Sequence, residues 1–257
     1  MYQTPASIFK RMVYAYYHSN NEETNIINSI HLKILERYIN IFDEVIFCII
    51  IDDVNDKETI KEIERKVLVI RNGDITFKTY QNGDYRETSV FYNEIFLKMK
   101  DLYGSTFFAH SKGRGVLSDI NETIAFISAV YFFSLENIDS ISDYPFYGSL
   151  KMINNSPYNS RGTKYMWFYV GTFFWGDYQR VYREKNKCFP NISSRWFDET
   201  FTGELYDNIE CGSYANEFID ATIKPINAYD LIERIHGNNE IMGEYLAFYN
   251  ELINLFT

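Results

Sequence analysis

Val45-Ile46-Phe47-Cys48-Ile49-Ile50-Ile51 constrains this chain more than any other stretch. An unbroken apolar run of strand length, closed by the acids Asp52 and Asp53, reads as a strand buried on both faces. That burial occurs where helices cover both sides of a parallel sheet. The flanking pattern agrees. Arg11 to Tyr17 reads as a strand, and His18 to Thr24 as a turn whose Asn and Glu residues favour a helix start. Ile26, Ile27, Ile30, Ile34, Leu35 and Tyr38 then recur at helical spacing. A charged helix over Asp56 to Lys66 leads to an expected strand at Val67 to Ile70. A polar segment containing Asn82-Gly83 precedes a helix near Thr88 to Lys100. Ser105 to His110 is the next strand, and Ser118-Asp119 supplies capping residues for a helix over Asn121 to Leu135. This β-α alternation predicts right-handed crossovers and a mostly parallel sheet, an α/β fold.

Beyond residue 140 the periodicity weakens. Phe146 to Met152 reads as one strand, and the aromatic run Tyr165 to Trp175 as a strand turning at Gly171. Tyr178 to Lys185 reads as a helix. Ala228 to Phe256 reads as one or two packing helices that split near Gly237-Asn238.

The strand Ser105 to His110 runs directly into His110-Ser111-Lys112-Gly113-Arg114-Gly115. Ligands of open α/β sheets bind beyond the carboxyl ends of strands. His110, Lys112 and Arg114 would place donors there for an anionic group such as a diphosphate. The glycines between them allow close backbone approach. A basic surface turn is the plainer reading of the same residues.

Composition sharpens this. The formal net charge is −10, which disfavours general nucleic-acid or anionic-membrane binding and makes a local cationic cluster stand out. No apolar run approaches the roughly 18 residues of a membrane span, and Met1 to Pro5 lacks a secretory pattern. Cys48, Cys188 and Cys211 are odd in number and far apart, so reduced thiols and a cytoplasmic location are expected.

Four segments, in order, resemble a group of glycosyltransferase-like proteins related to the rhamnan-synthesis type. They are Glu87-Thr88-Ser89-Val90, Phe108-Ala109-His110-Ser111-Lys112-Gly113, Val170-Gly171-Thr172-Phe173-Phe174-Trp175, and Arg195 to Gly203 with its Arg-x-x-x-Glu pattern. Ser111, Thr172, Phe174 and Phe201 stand where that group carries Thr, Asn, Trp and Trp. The resemblance implies a glycosyltransferase-A-like domain over residues 1–225, with C-terminal packing helices over 226–257. Within it, a Rossmann-like nucleotide-sugar half would span about 11–135 and an acceptor half about 140–225. It also implies transfer of a sugar from a nucleotide-sugar donor to a glycan or glycolipid acceptor.

In such enzymes an Asp-x-Asp signature after the central strand usually holds a metal. Here His110-Ser111-Lys112 fills that place, so fixed positive charge from Lys112 and Arg114 would take the place of a metal, with His110 and Lys112 binding the leaving diphosphate. Asp52 and Asp53 are the alternative Mg²⁺ or Mn²⁺ site. At a strand end these acids also suit a ribose or base, or cap a helix. His18, placed by fold position, joins them as a nucleotide contact.

Inverting transfer needs a carboxylate to take the acceptor proton. Glu199 is the first candidate, Asp198 the second and Glu204 the third. Arg195 would orient Glu199 or bind phosphate. Gly171, Phe173 and Trp175 suit a wall against a sugar ring, or a packed core strand. His31 and His236 have no evident partner in the pattern. A nucleotide- or glycan-binding protein that kept the fold and lost the chemistry is the alternative from another class.

Overall fold

In the computed structural model the described residues are 8–71, 73–111, 120–136, 138–149, 151–153, 167–169, 172–190, 197–214, 219–220 and 239–257. The first half alternates as its sequence pattern requires: β1 (Lys10–Tyr17), α1 (Glu22–Tyr38), β2 (Glu44–Ile51), α2 (Lys57–Ile70), β3 (Ile75–Gln81), α3 (Arg86–Glu94), β4 (Ser105–His110) and α4 (Ile120–Leu135). There follow β5 (Phe146–Gly148), β6 (Lys151–Ile153), β7 (Trp167–Tyr169), β8 (Phe174–Gly176), α5 (Tyr178–Lys185), α6 (Phe197–Leu205), β9 (Gly212–Ser213), β10 (Ile219–Asp220) and α7 (Asn239–Phe256).

Helix starts carry the expected caps. The Asn21 side chain accepts from the Glu23 amide at 2.8 Å, and Asp56 accepts from the Thr59 amide at 3.1 Å. Each satisfies a backbone donor that the first helical turn leaves open.

The main sheet runs β3-β2-β1-β4-β8-β5-β9. β3, β2, β1 and β4 are mutually parallel; β8 is antiparallel to β4 and β5, and β9 is parallel to β5. A smaller sheet has the order β10-β6-β7. The fold is therefore α/β with a mostly parallel, mixed sheet and a C-terminal helix.

Alternate residues of the central strands feed two cores. Met12, Tyr14 and Tyr16 of β1 join Phe47 and Phe107 beneath α1, α2, α4 and α7. Val13 and Ala15 join Ile46, Cys48 and Phe108 beneath α3, α5 and α6. This two-sided burial is the physical reason that Val45 to Ile51 carries no polar residue. α7 belongs to the first core: Met242, Tyr245, Phe248 and Leu252 are buried there, and the Tyr245 hydroxyl donates to Ala125 O at 3.0 Å. Arg71 is also buried, and its guanidinium donates to Ile39 O at 2.7 Å and Phe42 O at 3.1 Å, fixing the turn into β2.

Three expected elements change. Val67 to Ile70 is the last turn of α2 and not a strand. Ile60, Ile63 and Val67 form its buried stripe while Val69 is 86% exposed, a helical distribution that a two-sided strand cannot have. The strand is instead Ile75–Gln81, inside the segment read as polar. The segment Phe146 to Met152 divides between β5 in the main sheet and β6 in the small one. The helix expected to reach Lys100 ends at Glu94 and continues as a 3-10 turn, Phe96–Asp101. Ser118, Asp119, Gly237 and Asn238 lie outside the described residues.

Among the described residues no helix is long and apolar enough to cross a membrane. All three cysteines are free, and burial pushes the Cys211 thiol up to about 12 and Cys48 higher still. Both stay protonated and serve as small apolar groups.

Candidate functional site

Strand order reverses between β1 and β4: the chain leaves β1 towards β2 and β3, then crosses back to β4 on the other side. In an open α/β sheet the carboxyl ends of two strands at such a reversal are the usual ligand position. Here the strand ends are tied together. The Tyr17 amide donates to Ser111 Oγ at 2.7 Å and the Ser111 amide to Ala15 O at 2.9 Å. The His18 amide donates to Ile50 O, and the Asn82 amide to Ile51 O, each at 2.8 Å. Asn82 Nδ2 then reaches Asp52 Oδ1 at 2.5 Å, and Gln81 Nε2 donates to Asp52 O. The Arg86 guanidinium sits 5.3 Å over the Tyr17 ring. These bonds brace the ends of β1, β2, β3 and β4 into one rim.

His110 is the last residue of β4, paired in register with Ala15 and 6% exposed. Lys112 and Arg114 follow within four residues in sequence but lie outside the described residues. So do Gly171, Arg195 and His236.

His18 stands just past β1, half-buried. Burial lowers its pKa, outweighing the upward pull of Asp56, Asp52 and Glu62, while Lys66 lowers it further. A neutral imidazole at pH 7 offers one donor and one acceptor. It faces a cavity of about 420 Å³ between α1 and α2, lined also by Tyr16, Asn25, Ser29, Thr59 and Glu62. That volume is in the range of small-molecule sites.

Asp52 and Asp53 are exposed, and their oxygens serve local structure. Asp52 receives Asn82, and Asp53 Oδ1 accepts from the Asn55 amide at 2.8 Å, closing the turn into α2. Among the described residues no group of three or more His, Cys, Asp or Glu side chains is placed to hold a metal ion.

The acids near Arg195 fall on α6. Phe197, Phe201 and Leu205 form the buried stripe, and Phe91 of α3 packs against Phe201 at 5.3 Å between centroids. Thr88, in the first turn of α3, donates to Asp198 Oδ1 at 2.5 Å. Because α3 starts just beyond the end of β3, this bond brings the start of α6 to the same edge of the sheet as the strand ends. Asp198 is 0% exposed, and its second oxygen has no partner among the described residues. Burial first, then the charges of Glu87 and Glu199, raise its pKa well above the ordinary carboxyl range. A raised carboxyl pKa favours the protonated, hydrogen-bond-donating form over the base. Glu199 is buried beside it at 5% exposure, and Glu204 is half-buried.

The amide of Asn has the shape of the protonated acid. Asp198→Asn is therefore expected to raise Tm at pH 7 and to leave it unchanged near pH 3, measured by thermal melts. The sign follows from linkage. A carboxyl whose folded pKa is raised destabilises the fold progressively as pH climbs above its unfolded value.

Phe173 and Trp175 do not present a wall to a ligand. Both are 0% exposed. Trp175 Nε1 donates to Ser134 O at 2.7 Å and its ring stacks on Phe42, while Phe173 is enclosed by Tyr131, His31 and His110. His31, without an evident partner in the sequence, is a fully buried core residue whose Nδ1 meets the Tyr131 hydroxyl at 3.0 Å.

Sequence reasoning did not single out Asn82, Arg86, Thr88 or Ser111 as site residues. Thr88 and Ser111 lie inside the segments that carry the family resemblance. Asn82 and Arg86 had only a turn signal. Compared with protein-family models and with curated protein sequences, the chain matches none.

Proposed function

We propose that the protein is a glycosyltransferase that moves a sugar from a nucleotide-sugar donor to a glycan or glycolipid acceptor. The observation that carries this reading is the placement of His110 and Ser111 at the β1/β4 reversal, immediately before Lys112 and Arg114. The order 3-2-1-4 of the first four strands is that of a nucleotide-binding half. The antiparallel β8 and its neighbours are consistent with the following half that the family resemblance implies.

In this proposal His110, Lys112 and Arg114 hold the donor diphosphate. As the bond between the anomeric carbon and the diphosphate oxygen breaks, their positive charge stabilises the leaving group. The acceptor hydroxyl oxygen forms the new bond to the same carbon, and Glu199 takes its proton. His18 and the cavity between α1 and α2 receive part of the nucleoside, with Asp52 on their rim. Asp198, neutral and fixed by Thr88, is a positioning group for Glu199.

The test is a thermal-shift screen of nucleoside diphosphates and nucleotide sugars, in EDTA and in Mn²⁺. A ligand at a hundred times its Kd adds about 2.7 kcal/mol. For a chain of this size each kcal/mol moves Tm by about 2–4 °C. A shift with one base in EDTA, lost in Lys112→Ala, is the expected result. A shift only in Mn²⁺ would move the diphosphate site towards Asp52 and Asp53. Binding without donor turnover would identify a nucleotide-binding protein on the same fold.

A further inference from the structure

The chain enters β8 through Thr172 at φ +62°. A β-branched residue in this left-handed region is crowded against its own backbone, which costs stability. Thr172 is also 0% exposed, and its hydroxyl finds no hydrogen-bond partner among the described residues. An unmade buried bond adds to that cost. Glycine or asparagine adopts the same backbone with less strain, so the turn itself does not require threonine.

What the turn delivers is the ring of Phe173. That ring stacks on the His110 imidazole, with centroids 5.6 Å apart and planes 26° apart. It lies nearly parallel to His31 at 6.4 Å and 10°, and meets Tyr131 edge-on at 4.9 Å and 69°. The His31–Tyr131 contact at 3.0 Å fixes the far side. Phe173, His31 and Tyr131 are each 0% exposed, so the ring has no room to turn away. One face of His110 is thus set against a buried aromatic stack, at the carboxyl end of β4 beside the β1/β4 reversal.

We infer that Thr172 and Phe173 are positioning residues for His110: the strained turn presses Phe173 against the imidazole and sets its orientation before a ligand arrives. The functional consequence rests on the reading of His110 as a diphosphate ligand; the orienting contact itself does not. Preorganisation of this kind preserves affinity because the ordering cost is met in folding and not in binding.

The experiment uses the full chain with two substitutions, Thr172→Gly and Phe173→Leu. Imidazole proton resonances of His110, assigned with His110→Gln, report its stacking directly, because protons over an aromatic face are shifted upfield. The probes for binding are ADP, GDP, UDP and CDP. In Phe173→Leu the His110 protons are expected to move downfield, with about a tenfold loss in affinity for whichever diphosphate the parent binds. In Thr172→Gly, which relieves strain and keeps the ring, Tm is expected to rise while the His110 protons shift and affinity falls. Greater stability with weaker binding is the mark of strain kept for a site. Unchanged His110 resonances in both variants, or in Thr172→Gly alone if Phe173→Leu does not fold, overturn the inference. Shifted resonances in a protein that binds none of the four diphosphates uphold the positioning role and remove the diphosphate reading instead.

Discussion

A Glu199→Gln protein is expected to lose roughly 10²–10⁴-fold in donor turnover, the usual worth of a positioned general base, while its nucleotide-induced thermal shift stays intact. The amide keeps the size and hydrogen bonding of the side chain but cannot accept the acceptor proton. Asp198 does not substitute for it, because in this variant burial first, and then the charge of Glu87, still raise its pKa. Initial-rate assays on the donor found in the nucleotide screen measure the loss. Undiminished turnover in Glu199→Gln would remove the assignment, and an equal loss of nucleotide binding would reassign Glu199 to the donor site.

Glu94→Ala is expected to cost about 2–3 kcal/mol of stability, measured by urea denaturation. Glu94 is 3% exposed and accepts from Lys78 Nζ and Lys98 Nζ at 2.6 Å each, and from the Tyr80 hydroxyl at 2.5 Å. Breaking a buried ion pair usually costs about 3–5 kcal/mol through the charge left behind. Here Lys78 and Lys98 are 33% and 42% exposed and can turn to water, which places the value lower. Burial alone would raise the Glu94 carboxyl, but the bonds from Lys78, Lys98 and Tyr80 outweigh it and hold the pKa below the ordinary 4.5. Its stabilisation is thus present above the unfolded pKa and lost as pH falls through the folded one. Asp198 runs the other way. Acid titration of the two variants should therefore bend in opposite senses, Glu94→Ala converging on the parent at low pH and Asp198→Asn gaining on it as pH rises.

The sequence made the parallel core legible because Arg11 to Tyr17, Val45 to Ile51 and Ser105 to His110 are largely buried on both faces and show it as apolar-rich runs, unbroken at Val45 to Ile51. It misled at Val67 to Ile70, where four apolar residues fit a strand or the end of a helix equally well, and periodicity cannot separate the two. β3 was hidden for the complementary reason. Its Thr76, Lys78, Thr79 and Gln81 read as polar, although Ile75, Phe77 and Tyr80 supply the aromatic and β-branched content of a strand. Of the candidate site, the strand end at His110 and the acid cluster at Asp198 and Glu199 were legible as positions. The roles of Thr88 and Thr172 were not, because one acts through a partner 110 residues away and the other through a backbone angle. Neither leaves a local pattern. Phe173 and Trp175 show the same limit, since composition does not tell a ring that faces a ligand from one that faces the core.

β3 stands at an end of the main sheet, so one side of its backbone has no neighbouring strand in that sheet. Such a border invites another chain to add on, and natural sheets discourage this with charged side chains, lysine above all. Lys78 sits in the middle of β3 with its ammonium drawn onto Glu94 of α3. An incoming chain would have to accommodate that charge and the helix it anchors. Resistance to self-association is then a second property of the same ion cluster, and concentrated Lys78→Ala protein, which lacks that charge, should show it as turbidity developing well below the unfolding temperature.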